Sequence, residues 1–267
     1  MQEAFVLHSL AWRETSLVVE VFTRAEGRLG LVARGARRPR SAMRGLLQPF
    51  QPILVRYGAK GELRTLMSAE WSGGLGALAG EALLAGFYLN ELVLKLLARE
   101  DPHPALFDAY RQAIHFLAAG ASSTAAPRSM RGARGRAASL IEPVLRQFEC
   151  RLLREIGVAP DFSAPLYRDQ PDRLFEVRAG ETIRPCMGPS GNGDAVSGRV
   201  IHALSRYDDG FDAFASAFFD VEVAAEAKRL LRGLLRHQLG ESELLSREAM
   251  RELHRLTEPS GRTGNGP

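Results

Sequence analysis

Lysine is scarce in this sequence: Lys60, Lys95 and Lys228 are its only lysines, so nearly all of the 35 basic residues are arginine. Cysteine is scarcer. Cys150 and Cys186 stand alone with no C-x-x-C pair, which argues against a disulfide framework and a cysteine-built zinc site, and both are expected to be reduced. No apolar run approaches the roughly 18 residues of a membrane helix. The opening MQEAFVLHSLAW carries Glu3 and no basic lead, so no secretory leader, no membrane partner and a cytoplasmic location are expected.

Catalytic patterns are missing too. His8, His103, His115, His202, His237 and His254 are scattered, without H-E-x-x-H or H-x-E followed by P-C-x-x-C. There is no G-x-S-x-G elbow and no G-x-x-x-x-G-K-[ST] phosphate loop, and GPSGNGD (188–194) reads as an exposed loop. Cys150 lies on an apolar-leaning helix face, where a buried inert thiol is expected. The chain is therefore read as a non-enzyme with no cofactor and no metal.

The most local absence is of acid. Gly27 to Gly61 spans 35 residues with eight cations and no Asp or Glu, although a solvated surface normally mixes signs. Five of the cations, Arg34, Arg37, Arg38, Arg40 and Arg44, crowd into LVARGARRPRSAMRGLLQPF (31–50). An anionic partner is the expectation, because arginine's planar donor fork suits phosphate.

Around this stretch the pattern is β. AFVLHSLAW (4–12), TSLVVEVFT (15–23), RLGLVARG (28–35), PILVRYG (52–58) and ELRTLMSAEW (62–71) are five strand candidates, with compact turns at RAEGR and GAKGE. Five short strands fit a small closed barrel, either an OB-fold or an SH3-like one. Trp12, Phe22, Phe50, Tyr57 and Trp71 lie within it, each either core or a stacking platform for bases.

Beyond Gly76 the period becomes helical. Leu78, Ala82, Ala85, Leu89, Leu92 and Leu96 form one stripe, widened by Leu84, Phe87, Leu94 and Leu97 into a helix expected to be central and buried. A second helix is expected over 105–119, a mobile linker over 120–139, and a helix over 140–157 ending on a capping glycine. Val158 to Gly193 is irregular, with one hairpin through RLFEVRAGETIRP; helical signals resume at GRVIHALSRY and run to ELLSREAMRELHRL. In the helix over 225–239, Lys228, Arg229, Arg232 and Arg236 fall within an arc of roughly 100°. That arc is either a solvated basic face or a docking surface for an acidic peptide or DNA.

Taken together, FVLHS followed by R-E-T-S, the GRL turn, ARGARR, LQPF and GAKGEL, then FYLNEL and AKRLLRGLLRHQLG, make the chain resemble the RecO family of recombination mediators. The resemblance covers residues 5–110 closely and 138–256 more loosely. It implies an α+β fold: an N-terminal five-stranded OB-fold barrel (1–76), a mainly helical domain (77–256) with an irregular insertion around 158–193, and a disordered tail (257–267). It implies DNA repair by binding single- and double-stranded DNA, annealing complementary strands and, with RecR, helping RecA load where the single-stranded-DNA-binding protein (SSB) coats DNA. Nucleoid association and contact with the SSB C-terminal tail through the helical domain follow from the same likeness. The implied DNA contacts are Arg34, Arg37, Arg38, Arg40, Arg44, Lys60 and Arg64, and Lys228, Arg229, Arg232 and Arg236 are weaker candidates for the SSB tail or DNA. The alternative is a scaffold for the SSB tail and RecR that binds DNA only weakly. Some family members carry four cysteines in a zinc module within the region that retains only Cys186 here, so zinc is not expected.

Overall fold

The computed structural model describes residues 1–58, 61, 63–121, 140–188, 194–240 and 242–257. Five strands, β1 (Gln2–Trp12), β2 (Ser16–Thr23), β3 (Gly27–Ala33), β4 (Pro52–Tyr57) and β5 (Leu63–Trp71), close a barrel in the order β1-β2-β3-β5-β4. Neighbours run antiparallel except β3 and β5, which pair in parallel through Gly30, Leu31 and Val32 against Leu63, Arg64 and Thr65. This closure is the Greek-key barrel of an OB-fold, which settles the choice left open by strand counting. Alternation explains the interior: Val19, Val21, Leu29, Leu31, Ile53, Val55 and Leu66 point inward to one apolar core.

A second, larger core belongs to the helices, and the barrel contributes to it from outside. Phe5, Leu7, Phe22 and Phe50 pack among α2 (Gly80–Leu96), α3 (Pro104–Ala121) and α4 (Ile141–Glu155). Phe5 and Phe22 meet Phe107 and Tyr110 of α3 with ring centroids 5.1–6.0 Å apart, mostly edge to face. α2 touches α3, α4, α8 (Val221–Leu239) and α9 (Leu245–Thr257), the central place its broad apolar stripe predicts. Phe87 is the exception on that stripe: it is exposed at one flank, against Phe50.

The later chain is more regular than its composition suggests. α5 (Pro165–Asp169), β6 (Leu174–Val177) and β7 (Arg184–Pro185) lie in the insertion, and β8 (Asp194–Ser197) joins them. The expected hairpin of β6 and β7 exists, but β8 adds a third strand in the order β7-β6-β8. Phe175, Val177 and Val196 tie this sheet into the helical core. α6 (Gly198–Ser205) and α7 (Phe211–Ser216) complete the domain; α7 was not foreseen, being too short to show a helical period. α3 continues through Ala121 and α9 through Thr257, slightly past the expected linker and tail boundaries; the rest of those two segments, 122–139 and 258–267, lies outside the described residues, as does 189–193 of the GPSGNGD loop.

Candidate nucleic-acid interface

The acid-free arginines leave β3 at Ala33 in a chain of tight turns. Arg38 N donates to Gly35 O at 3.1 Å, Ser41 N to Arg38 O at 3.0 Å and Arg44 N to Ser41 O at 3.2 Å, leading into a single helical turn, α1 (Met43–Leu46). Gly35 takes φ +71°, which a side chain would resist. Ala36 and Leu47 are buried in the barrel core and Met43 packs against it, so the loop is pinned and its arginines are turned outward. Arg34, Arg37, Arg38, Arg40 and Arg44 are all exposed. Among the described residues, Arg34, Arg38, Arg40 and Arg44 have no acidic partner within ion-pair distance.

Arg37 is held differently. Its amide donates to Thr15 O at 2.9 Å, and its Nη1 lies 3.2 Å from Arg13 O and 3.3 Å from Glu14 O, clasping the tip of the β1–β2 hairpin. Lys60 lies outside the described residues. Arg64 stands apart from the group: its guanidinium spans Glu26 and Glu100, with Glu100 Oε1 at 2.7 Å from Nη2, and only 13% of the side chain is exposed. The Glu26 hydrogen bond raises the Arg64 pKa and Glu100 adds to it. This arginine reaches two carboxylates where it stands, unlike the loop arginines. Arg28, also in the acid-free stretch, is half-buried and donates to Leu94 O at the end of α2.

The five barrel aromatics divide sharply. Phe22 and Phe50 are core and Tyr57 donates to Glu26 at 2.7 Å, whereas Trp12 and Trp71 are exposed.

The basic arc of α8 also divides. Lys228 pairs with Glu142 of α4, and Arg229 Nη2 reaches Ala195 O at 3.2 Å, while Arg236 is exposed near the helix end. Arg232 turns inward. Burial lowers its pKa, and Arg146 and Arg247 lower it further by repulsion. These three arginines crowd around Glu142, Glu149 and Tyr88. Arg146 Nη2 donates to Glu149 Oε1 at 2.7 Å, Tyr88 Oη to the same oxygen at 2.6 Å, and Arg247 Nη2 to Tyr88 Oη at 2.9 Å. Burial disfavours the Arg146 charge, yet Glu149, Tyr88 and Glu142 outweigh it and raise its pKa. Among the described residues, Arg146 Nε and Nη1 and Arg232 Nε nevertheless meet no hydrogen-bond acceptor. Sequence reading missed Arg146 and Arg247, because a charge inside an apolar helical stripe reads as an ordinary solvated residue until its neighbours are known.

No described helix is long and apolar enough to cross a membrane. The family model described as Recombination protein O N terminal matches residues 1–75, and that described as Recombination protein O C terminal matches 78–131 and 136–248. The chain is 42% identical to the DNA repair protein RecO of Azoarcus sp. (strain BH72) over 96% of both chains. It is 44% identical to that of Laribacter hongkongensis (strain HLHK9), again over 96% of both, and 42% identical to that of Thiobacillus denitrificans (strain ATCC 25259 / T1), over 96% of this chain and 93% of the relative.

Proposed function

We infer that this chain, which belongs to the RecO family of DNA repair proteins, is a mediator that binds single- and double-stranded DNA and anneals complementary strands. One observation carries the reading: Arg34, Arg38, Arg40 and Arg44 project from a pinned loop at the barrel, with no acid among the described residues within ion-pair distance. Such a cluster repels itself in water and is relieved by a polyanion, whose release of counterions drives binding. Arg37 closes the loop onto the hairpin, and Lys60 stays a proposed contact on sequence alone. Catalysis has no part in this reading, and no cofactor or metal is needed.

Cooperation with RecR and RecA at SSB-coated strands, at the nucleoid, is the proposed setting. The arginine group Arg146, Arg232 and Arg247 favours an acidic tail as a further ligand, since three guanidiniums stand there against the carboxylates of Glu142 and Glu149. Arg232 and Arg247 are the half-buried members such a tail meets first. A scaffold that bound only this tail and RecR would leave the loop arginines without purpose.

The test is annealing of complementary oligonucleotides with and without SSB, across a salt series. The expected result is acceleration that fades with salt and is lost in Arg34→Ala/Arg38→Ala/Arg40→Ala. Tail-peptide binding without any acceleration favours the scaffold instead.

A further inference from the structure

The chain leaves the arginine loop through LLQPFQP (46–52), and this stretch is fastened alternately to the two cores. Leu47 is buried in the barrel core and Pro49 bridges to Val6 of β1, whereas Phe50, 5% exposed, enters the helical core. Gln51 then clasps the backbone of Leu75, accepting from its N and donating to its O at 3.3 Å each, on the segment that leads into α2. Phe50 is the strained anchor. Its φ is +68°, a left-handed value that a bulky residue keeps only where its surroundings hold it.

What holds it is a socket on α2. The Phe50 ring meets Phe87 edge to face, with centroids 5.0 Å apart, and lies against the backbone of Gly86. A Cβ at Gly86 would come within 2.9 Å of Phe50 Cε1 and 2.8 Å of Leu78 Cδ1, closer than carbons pack. Glycine is a poor residue for a helix interior, and the ring of Phe50 gives it a reason to be there. On the loop side the link is short. Gln48, two residues before Phe50, donates from Nε2 to the Arg44 carbonyl at 2.8 Å, and the Arg44 side chain is exposed. The first half of the loop, with Arg34 and Arg38, is held by the barrel, through Ala36 in its core and Arg37 on the hairpin.

We infer that Phe50 is a positioning residue: seated on Gly86, it sets where α1 presents Arg44 to a phosphate. The helical domain thereby fixes one contact of a loop that the barrel carries. This rests on the DNA-binding reading of the loop and adds what aims its second half.

The experiment titrates the full chain with a thymidine oligomer across a salt series, and urea unfolding of each variant runs beside it. Gly86→Ala crowds the ring and removes one contact although no cation is lost. Its slope of log affinity against log salt is flatter by about 0.7, so the loss in affinity grows about fivefold for each tenfold dilution of salt. Adding Phe50→Leu makes room for the new methyl and recovers the parent slope. In an Arg44→Ala chain, Gly86→Ala changes nothing more, because the contact it displaces is already gone. Phe50→Ala empties the socket without crowding α2 and flattens the slope in the same way, which decides the point if Gly86→Ala does not fold. A parent slope in Phe50→Ala, or effects of Gly86→Ala and Arg44→Ala that simply add, overturn the proposal, since a purely structural role moves the unfolding transition and leaves the slope. If the parent binds and loses its slope with the loop arginines but keeps it in Gly86→Ala and Phe50→Ala, only the positioning role falls. If the parent itself does not bind the oligomer, the reading beneath the proposal falls as well.

Discussion

The side-chain amide of Asn90 donates to the main-chain carbonyl of Leu7 at 2.8 Å, deep in the interior and across the boundary between helix α2 and the barrel. Leu7 sits at the register shift of β1 between Val6 and His8, where an extra residue interrupts the ladder with β2. Asn90 supplies a partner there, and its Oδ1 accepts from Tyr110 Oη at 2.5 Å. One amide thus joins the barrel, α2 and α3.

Asn90→Ala would strand the Leu7 carbonyl and the Tyr110 hydroxyl in an apolar setting. The expected cost is about 3 kcal/mol, from two buried polar groups losing their partners. Urea unfolding measures it, and a cost under about 1 kcal/mol would show that water takes the place of the amide.

Glu91 holds down the start of α9. Its carboxylate accepts from Leu245 N at 2.9 Å, Ser246 N at 3.0 Å and Ser246 Oγ at 2.6 Å, capping that helix from α2. Burial alone would raise the Glu91 pKa, but these donors and Lys95 hold it below the ordinary 4.5. Because the folded value is depressed, the stabilisation is complete above the unfolded value and lost as pH falls through the folded one. Hydrogen exchange across 245–250 should therefore be faster in Glu91→Gln than in the parent at pH 7, with the difference vanishing in acid below the folded value.

The Arg146–Glu149 pair is almost wholly removed from water, with 2% and 0% of the side chains exposed. Arg146→Ala would leave the buried Glu149 carboxylate without its ion-paired donor, with Tyr88 still donating to it, at an expected cost of about 3–5 kcal/mol. Replacing both, as Arg146→Met with Glu149→Leu, should recover most of that loss, since the desolvated charges disappear together. Thermal unfolding of the single and double variants decides it.

Much of this was legible in the sequence, and the reasons are physical. The five strands showed because each alternates between the barrel interior and its outside, and α2 because its stripe has no polar gap wide enough for a solvated face. β8 and α7 did not show, being 4 and 6 residues long and too short for either period to repeat. The acid-free run located the loop, since charge content is local. Arg64 could not be sorted from it that way: Glu26 and Glu100 are 38 and 36 residues distant in the chain and meet it only through the closed barrel and the α2–α3 corner. The α8 wheel likewise placed Lys228 and Arg232 on one arc with Arg229, but only the packing of α4 against α8 decides which of them meet Glu142 and Arg146.

The central claim is that the unneutralised loop arginines are phosphate contacts, and the salt dependence of DNA affinity reads it most directly. For a single-stranded oligomer, each phosphate neutralised contributes about −0.7 to the slope of log affinity against log salt, so four to six contacts give about −3 to −4. Replacing Arg34, Arg38, Arg40 and Arg44 together by alanine should flatten that slope by about 3 while the unfolding transition stays in place. A variant that keeps both the parent slope and the parent affinity would contradict the account.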